Sequence, residues 1–177
     1  MMRFFPHLLA ALVLSTVETS FFGSLHGMFR FTPFVLVVSV YLVQHHAMKP
    51  AVSWMVIHGL LLDLSGITIV PFITIAYIVT AWVALLSAER LFSNRSFYGV
   101  AACTLLSYLS FEVVSGLLQL ISTVIQKNTF YWGTYFSDAG SRFITLFVAL
   151  IVLYSFAKQI RYLLVKLYLV PPSRQTY

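Results

Sequence analysis

VPFITIAYIVTAWVALLSAER, residues 70–90, opens beside Pro71 and runs through Leu86 without a charged side chain. The hydrocarbon core of a bilayer is crossed by about 20 helical residues. The stretch therefore reads as a membrane helix, with Pro71 near its start, where a missing N–H is tolerated. Just before it, Pro50 can open a helix over about residues 50–66 and Gly66 can close it. The turn from Ser65 to Pro71 is so short that these two helices should form an antiparallel pair. Further out, helices are expected over about residues 5–25, 30–46 (with Pro33 in the first turn), 97–125 and 140–164. The last can continue as an interfacial helix as far as Pro171 and Pro172. The helices at 30–46 and 50–66 are short for full spans, so they should tilt little or thin the bilayer around them.

The composition agrees with an apolar solvent. Of 177 residues, 60% are hydrophobic and 9% are Asp, Glu, Lys or Arg. Soluble domains carry roughly 25% charged residues. About six membrane helices with short loops nearly exhaust the chain. The expected fold is an all-α membrane protein, one bundle over residues 1–177 with no soluble domain. Met1-Met2-Arg3 before an apolar run resembles a secretory signal peptide, but Glu18 interrupts the run, no A-x-A site follows and further spans come after. It reads as a retained first helix.

The net charge is +6, but the basic residues are dispersed at helix ends and form no stripe for nucleic acid. They act as topology signals and contacts to anionic lipid. An even helix count puts both termini on one side, together with Arg3, Lys49, Arg90, Arg95, Lys158, Arg161, Lys166 and Arg174. Arg30, Lys127 and Arg142 fall on the other side. The excess sets both termini in the cytoplasm. Residues 165–177 then form a basic cytoplasmic tail, and residues 126–140 an extracytoplasmic loop. That loop holds Phe130, Tyr131, Trp132, Tyr135 and Phe136, which suit a membrane–water interface or a docking surface for an extracytoplasmic partner. On this topology Asn94-Arg95-Ser96 faces the cytoplasm, so its match to a glycosylation sequon is fortuitous.

Catalytic patterns are absent: the chain has no G-x-S-x-G, H-E-x-x-H or Walker A sequence. No catalytic residue, cofactor or metal is expected. Cys103 stands alone in an apolar run, and His45-His46 beside Lys49 lack further ligands at metal spacing. Three acids, Glu18, Asp63 and Glu112, fall inside expected spans. Each is costly against lipid and should point into the bundle. Gly59, Asp63 and Gly66 share one helical stripe, as do Tyr108, Glu112, Gly116 and Gln119. Glu18 adjoins a ladder of small residues, Ala11, Ser15 and Thr19. The acids can cap or bond neighbouring helices, bind a partner or ligand, or relay protons. His58, the one nearby candidate for a relay, lies five residues from Asp63 and shares its face poorly. For Asp63 the stripe favours packing, in which case Asp63→Asn should be tolerated and Asp63→Leu should not.

Lys49-Pro50-Ala51-Val52, then His58-Gly59-Leu60-Leu61-Leu62-Asp63-Leu64-Ser65-Gly66, then the Pro-led helix with Tyr77, resembles the MreD family of rod-shape-determining membrane proteins. Its members show a Gly-rich helix ending in G-x-x-x-D-x-x-S/G, followed by a tight turn. The resemblance covers about residues 47–90 and rests on Gly59, Asp63, Ser65 and Gly66. It implies a non-enzymatic scaffold of the bacterial cytoplasmic membrane. Such a scaffold sits beside an MreC-like bitopic protein and links MreB-like filaments to peptidoglycan synthases. On this view Gly59, Asp63, Ser65, Gly66, Glu18 and Glu112 are the candidate helix-packing or partner-binding residues. The family's fold is similar to the substrate-binding subunits of energy-coupling-factor vitamin transporters, which is the alternative role. The small-residue ladder at Ala11, Ser15 and Thr19 would then meet a transmembrane partner. A vitamin-binding subunit needs a polar and aromatic pocket open to the outside. A scaffold should instead engage its polar groups in helix packing and leave an apolar groove for a partner.

Overall fold

The computed structural model describes residues 4–25, 29, 32–44, 48–66, 70–92, 96–127 and 129–156, with side chains from His7 onward. Those residues form six α-helices and no strand: α1 (Phe4–Thr16), α2 (Phe34–Gln44), α3 (Met48–Ser65), α4 (Phe72–Leu86), α5 (Phe97–Ile125) and α6 (Trp132–Ser155). Two helices widen into π-helical turns, α1 at Val17–Phe22 and α4 at Ser87–Leu91. His45, His46, Asn94, Arg95 and the tail 165–177 lie outside the described residues.

The fold is organised around α2. Its sequence FVLVVSVYLVQ is apolar on every side, and from Val35 to Gln44 every residue is buried. A helix apolar all round finds its place only where neighbours surround it. The other five helices all contact α2. Eleven residues give about 16 Å of helix, so α2 is a short internal strut and does not face lipid along its length. The core it anchors includes Ala11, Trp54, Met55, Tyr77, Ala81, Val100, Cys103, Leu146 and Leu150.

The outer surface is apolar as well. Leu106, Leu109, Val113, Leu117 and Ile121 are exposed along α5, Ile75, Ile78 and Trp82 along α4, and Ile144, Phe147, Val148 and Ile151 along α6. The stretches Phe72–Leu91, Phe97–Ile125 and Trp132–Ser155 are long and apolar enough to cross a membrane. The protein is therefore a membrane protein with at least these three candidate spans.

Helix bounds follow the sequence reading closely from α1 to α5. Pro50 falls in the first turn of α3, which starts at Met48. Pro33 and Pro71 each stand immediately before a helix and accept its first backbone bonds, from Val37 and Ile75. The main difference is in α6. It starts at Trp132, so most of the aromatic segment expected as a loop over 126–140 is helix. Gly133 and Gly140 have no steric neighbours, and nothing in the segment between Trp132 and Gly140 blocks helical backbone. Trp132, Tyr135 and Phe136 lie in the first turns of a candidate span, and Phe130 and Tyr131 lead into it.

Candidate functional site

Glu18, Asp63 and Glu112, the three acids expected inside spans, occupy three junctions between helices. Asp63, near the end of α3, reaches the start of α4. One carboxylate oxygen accepts the Ile73 N–H at 3.1 Å; the other accepts the Thr74 N–H at 2.7 Å and the Thr74 hydroxyl at 2.5 Å. Pro71 gives α4 no side-chain cap, so the first-turn donors that a helix leaves unpaired are met by an acid from its neighbour. The positive end of the α4 dipole favours the same placement. Gly59, one turn earlier on α3, permits the approach. A methyl group added there would lie 2.8 Å from the Thr74 Cα and 3.2 Å from the Tyr77 ring. These contacts also show that α3 and α4 run antiparallel. Ser65 and Gly66 are exposed at the end of α3, so the contact stripe against α4 stops at Asp63.

The tolerance expected for Asp63→Asn is revised by this geometry. Both carboxylate oxygens accept, and an amide supplies only one acceptor oxygen. Its NH₂ group would face a backbone donor.

Glu18 does for α2 what Asp63 does for α4. It lies in the π-helical turn after α1, and its carboxylate accepts the Val35 N–H at 2.6 Å. Its second oxygen meets His58 Nε2 at 3.2 Å, while His58 Nδ1 lies 3.0 Å from the Ser15 hydroxyl. Partners at both ring nitrogens fix the orientation of the His58 ring. His58 is fully buried and packs edge-on against Tyr77 at 5.2 Å between ring centroids. Ala11 and Ser15 are buried against the bundle, whereas Thr19 is exposed and returns its hydroxyl to the Ser15 carbonyl.

Glu112 joins α5 to α6. Arg142 donates to it at 3.1 Å, and the Tyr135 hydroxyl donates to its backbone carbonyl at 2.6 Å with a longer contact, 3.2 Å, to the carboxylate. Nearby, the Tyr108 hydroxyl donates to the Ala139 carbonyl at 2.6 Å. Gly116 makes room for Tyr135, whose hydroxyl would lie 2.6 Å from an added methyl group. Gln119, on the same sequence stripe, is exposed. Arg142 stands ten residues inside α6, about 15 Å along its axis. It is the partner of Glu112, not a charge at a helix end.

The junctions are linked through the bundle: Tyr77, beside His58, packs against Phe111 at 4.8 Å, and Phe111 precedes Glu112. Local spacing could not reveal the pairs Glu18–His58 and Glu112–Arg142, which are 40 and 30 residues apart. One signal did exist. A helix led by proline inside an apolar chain has no cap of its own, so Pro33 and Pro71 each called for an acceptor from elsewhere. Among the described residues no group of three His, Cys, Asp or Glu side chains could hold a metal.

A cavity of about 790 Å³ opens at one end of the bundle, where the starts of α4 and α6 meet the end of α5. Phe130, Tyr131, Tyr135, Gln119, Asp138 and Arg142 are among its walls. Compared with family models, curated proteins and solved structures, the chain matches none of them.

Proposed function

We propose that the chain is a non-enzymatic scaffold of the bacterial cell-elongation machinery. It would link cytoskeletal filaments to peptidoglycan synthesis through an MreC-like bitopic partner, from the cytoplasmic membrane and with both termini in the cytoplasm. The observation that carries this reading is the seam of Gly59 and Asp63 against Thr74. It gives the motif behind the MreD resemblance a physical task, the locking of two helices. Glu18 and Glu112 are likewise engaged in helix junctions, as a rigid scaffold requires. A rigid bundle with an apolar exterior can hold a partner's membrane helix by packing alone.

The test is cellular. In a rod-shaped bacterium depleted of its own MreD protein, expression of the chain together with its cognate MreC-like protein should restore rod shape. Rounding in the presence of well-expressed chain and partner would reject the reading.

A second reading, the substrate-binding subunit of an energy-coupling-factor-type transporter, draws support from the cavity. Its volume lies within the range of small-molecule sites, about 300–1,000 Å³. Stoichiometric binding of a vitamin-like molecule to the purified chain would favour that role over the scaffold.

A further inference from the structure

The cavity has a charge pattern of its own. Two lining residues carry fixed charge, Arg142 and Asp138. The Arg142 guanidinium is held 3.1 Å from Glu112, so its charge is already matched. Asp138 makes no hydrogen bond or ion pair with any described residue, although its side chain is half-buried in the second turn of α6. The uncompensated charge of the cavity is therefore negative. Gln119 and Thr134, also in its walls, are neutral and make no side-chain bond to another described residue.

The remaining walls are aromatic. Phe72, Phe130, Tyr131 and Tyr135 all line the space. Phe130 and Tyr135 hold each other at 5.6 Å between centroids, and Phe130 leans on Trp132 at 4.7 Å, so the cluster is braced. Aromatic faces carry negative quadrupole potential and attract cations. A carboxylate without a partner beside several aromatic faces is the arrangement that receives an alkylammonium group. A carboxylate or phosphate ligand would meet Asp138 with the same sign and find Arg142 already engaged.

We infer that this cavity, between the starts of α4 and α6 and the end of α5, is a binding site for an organic ammonium ion, with Asp138 as its counter-ion. Either reading of the chain, scaffold or transporter subunit, accommodates such a site. The ammonium can belong to a soluble amine or to the headgroup of an aminophospholipid.

The experiment is titration calorimetry on the full chain in phosphatidylglycerol nanodiscs, with benzyltrimethylammonium as probe and benzoate as its anionic counterpart. The ammonium should bind saturably at one site per chain, and benzoate should not. Asp138→Asn should weaken the probe about tenfold or more, with thermal stability unchanged because Asp138 holds no described partner. Asp138→Glu should recover part of the binding. Repeating the titration in phosphatidylethanolamine nanodiscs separates the two sources: suppressed binding identifies the lipid headgroup as the occupant, and unchanged binding identifies a soluble amine. Equal binding of benzoate, no saturable binding of the ammonium, or an Asp138→Asn variant that binds as wild type would overturn the inference.

Discussion

Asp63 has two carboxylate oxygens, and both are occupied by donors at the start of α4. An amide in its place leaves one backbone N–H facing another donor. An unsatisfied buried donor costs about 1–3 kcal/mol. Asp63→Asn should therefore lower the thermal stability of the purified protein while leaving it detectable in membranes. Asp63→Leu, which removes every acceptor, should be nearly absent from membranes. A thermal transition for Asp63→Asn equal to wild type would contradict the capping role. The glycines allow a second comparison. At Gly59 an added methyl meets helix backbone, which cannot yield without parting α3 from α4, so Gly59→Ala should cost about 1–3 kcal/mol. At Gly116 the obstacle is the tip of Tyr135, which can swing aside at the loss of its bond to Glu112, about 1 kcal/mol. Gly133→Ala meets nothing and should be neutral or stabilising by up to about 1 kcal/mol. Thermal unfolding in detergent should rank the three in that order; Gly59→Ala as stable as Gly133→Ala would mean that the α3–α4 contact is looser than described.

At the scale of elements, runs of apolar residues and the prolines beside them made α1 to α5 legible, and α5 runs over Phe97–Ile125 as its pattern indicates. The start of α6 was not legible. Phe130, Tyr131, Trp132, Tyr135 and Phe136 look interfacial one by one, yet Tyr135 turns inward to Glu112 while Trp132 and Phe136 stack on the outside. That division of faces needs helical geometry and a partner on α5, neither of which composition contains. For the site, the positions of Glu18, Asp63 and Glu112 inside the bundle could be anticipated from the cost of a charge in lipid. Their partners could not, because His58, Thr74 and Arg142 are brought to them by tertiary packing. Single cysteines through the first turns of α6 provide a check. Water-soluble maleimide should label Thr134→Cys, exposed in the first turn of α6, faster than Ala139→Cys, which is partly covered and lies deeper along the helix. Native Cys103 is buried and should stay silent. Equal labelling at 134 and 139 would restore the loop.

The molecule as a whole is a set of helices fastened at three polar junctions around the buried strut α2, with an apolar outer surface. Two junctions cap helix starts and the third ties α5 to α6, so each acid secures a different neighbour. A bundle fastened in this way keeps its outer faces in register, which is what a scaffold offers a partner helix. The most direct measurement of that role is co-purification. The chain, expressed with the MreC-like bitopic protein of the same organism, is solubilised in mild detergent and captured by its C-terminal tag. The scaffold account predicts a stoichiometric complex that survives gel filtration, weakens in Gly59→Ala in step with the loss of stability, and persists unchanged in Gly133→Ala. A well-folded, abundant wild-type chain that elutes without the bitopic protein would contradict it.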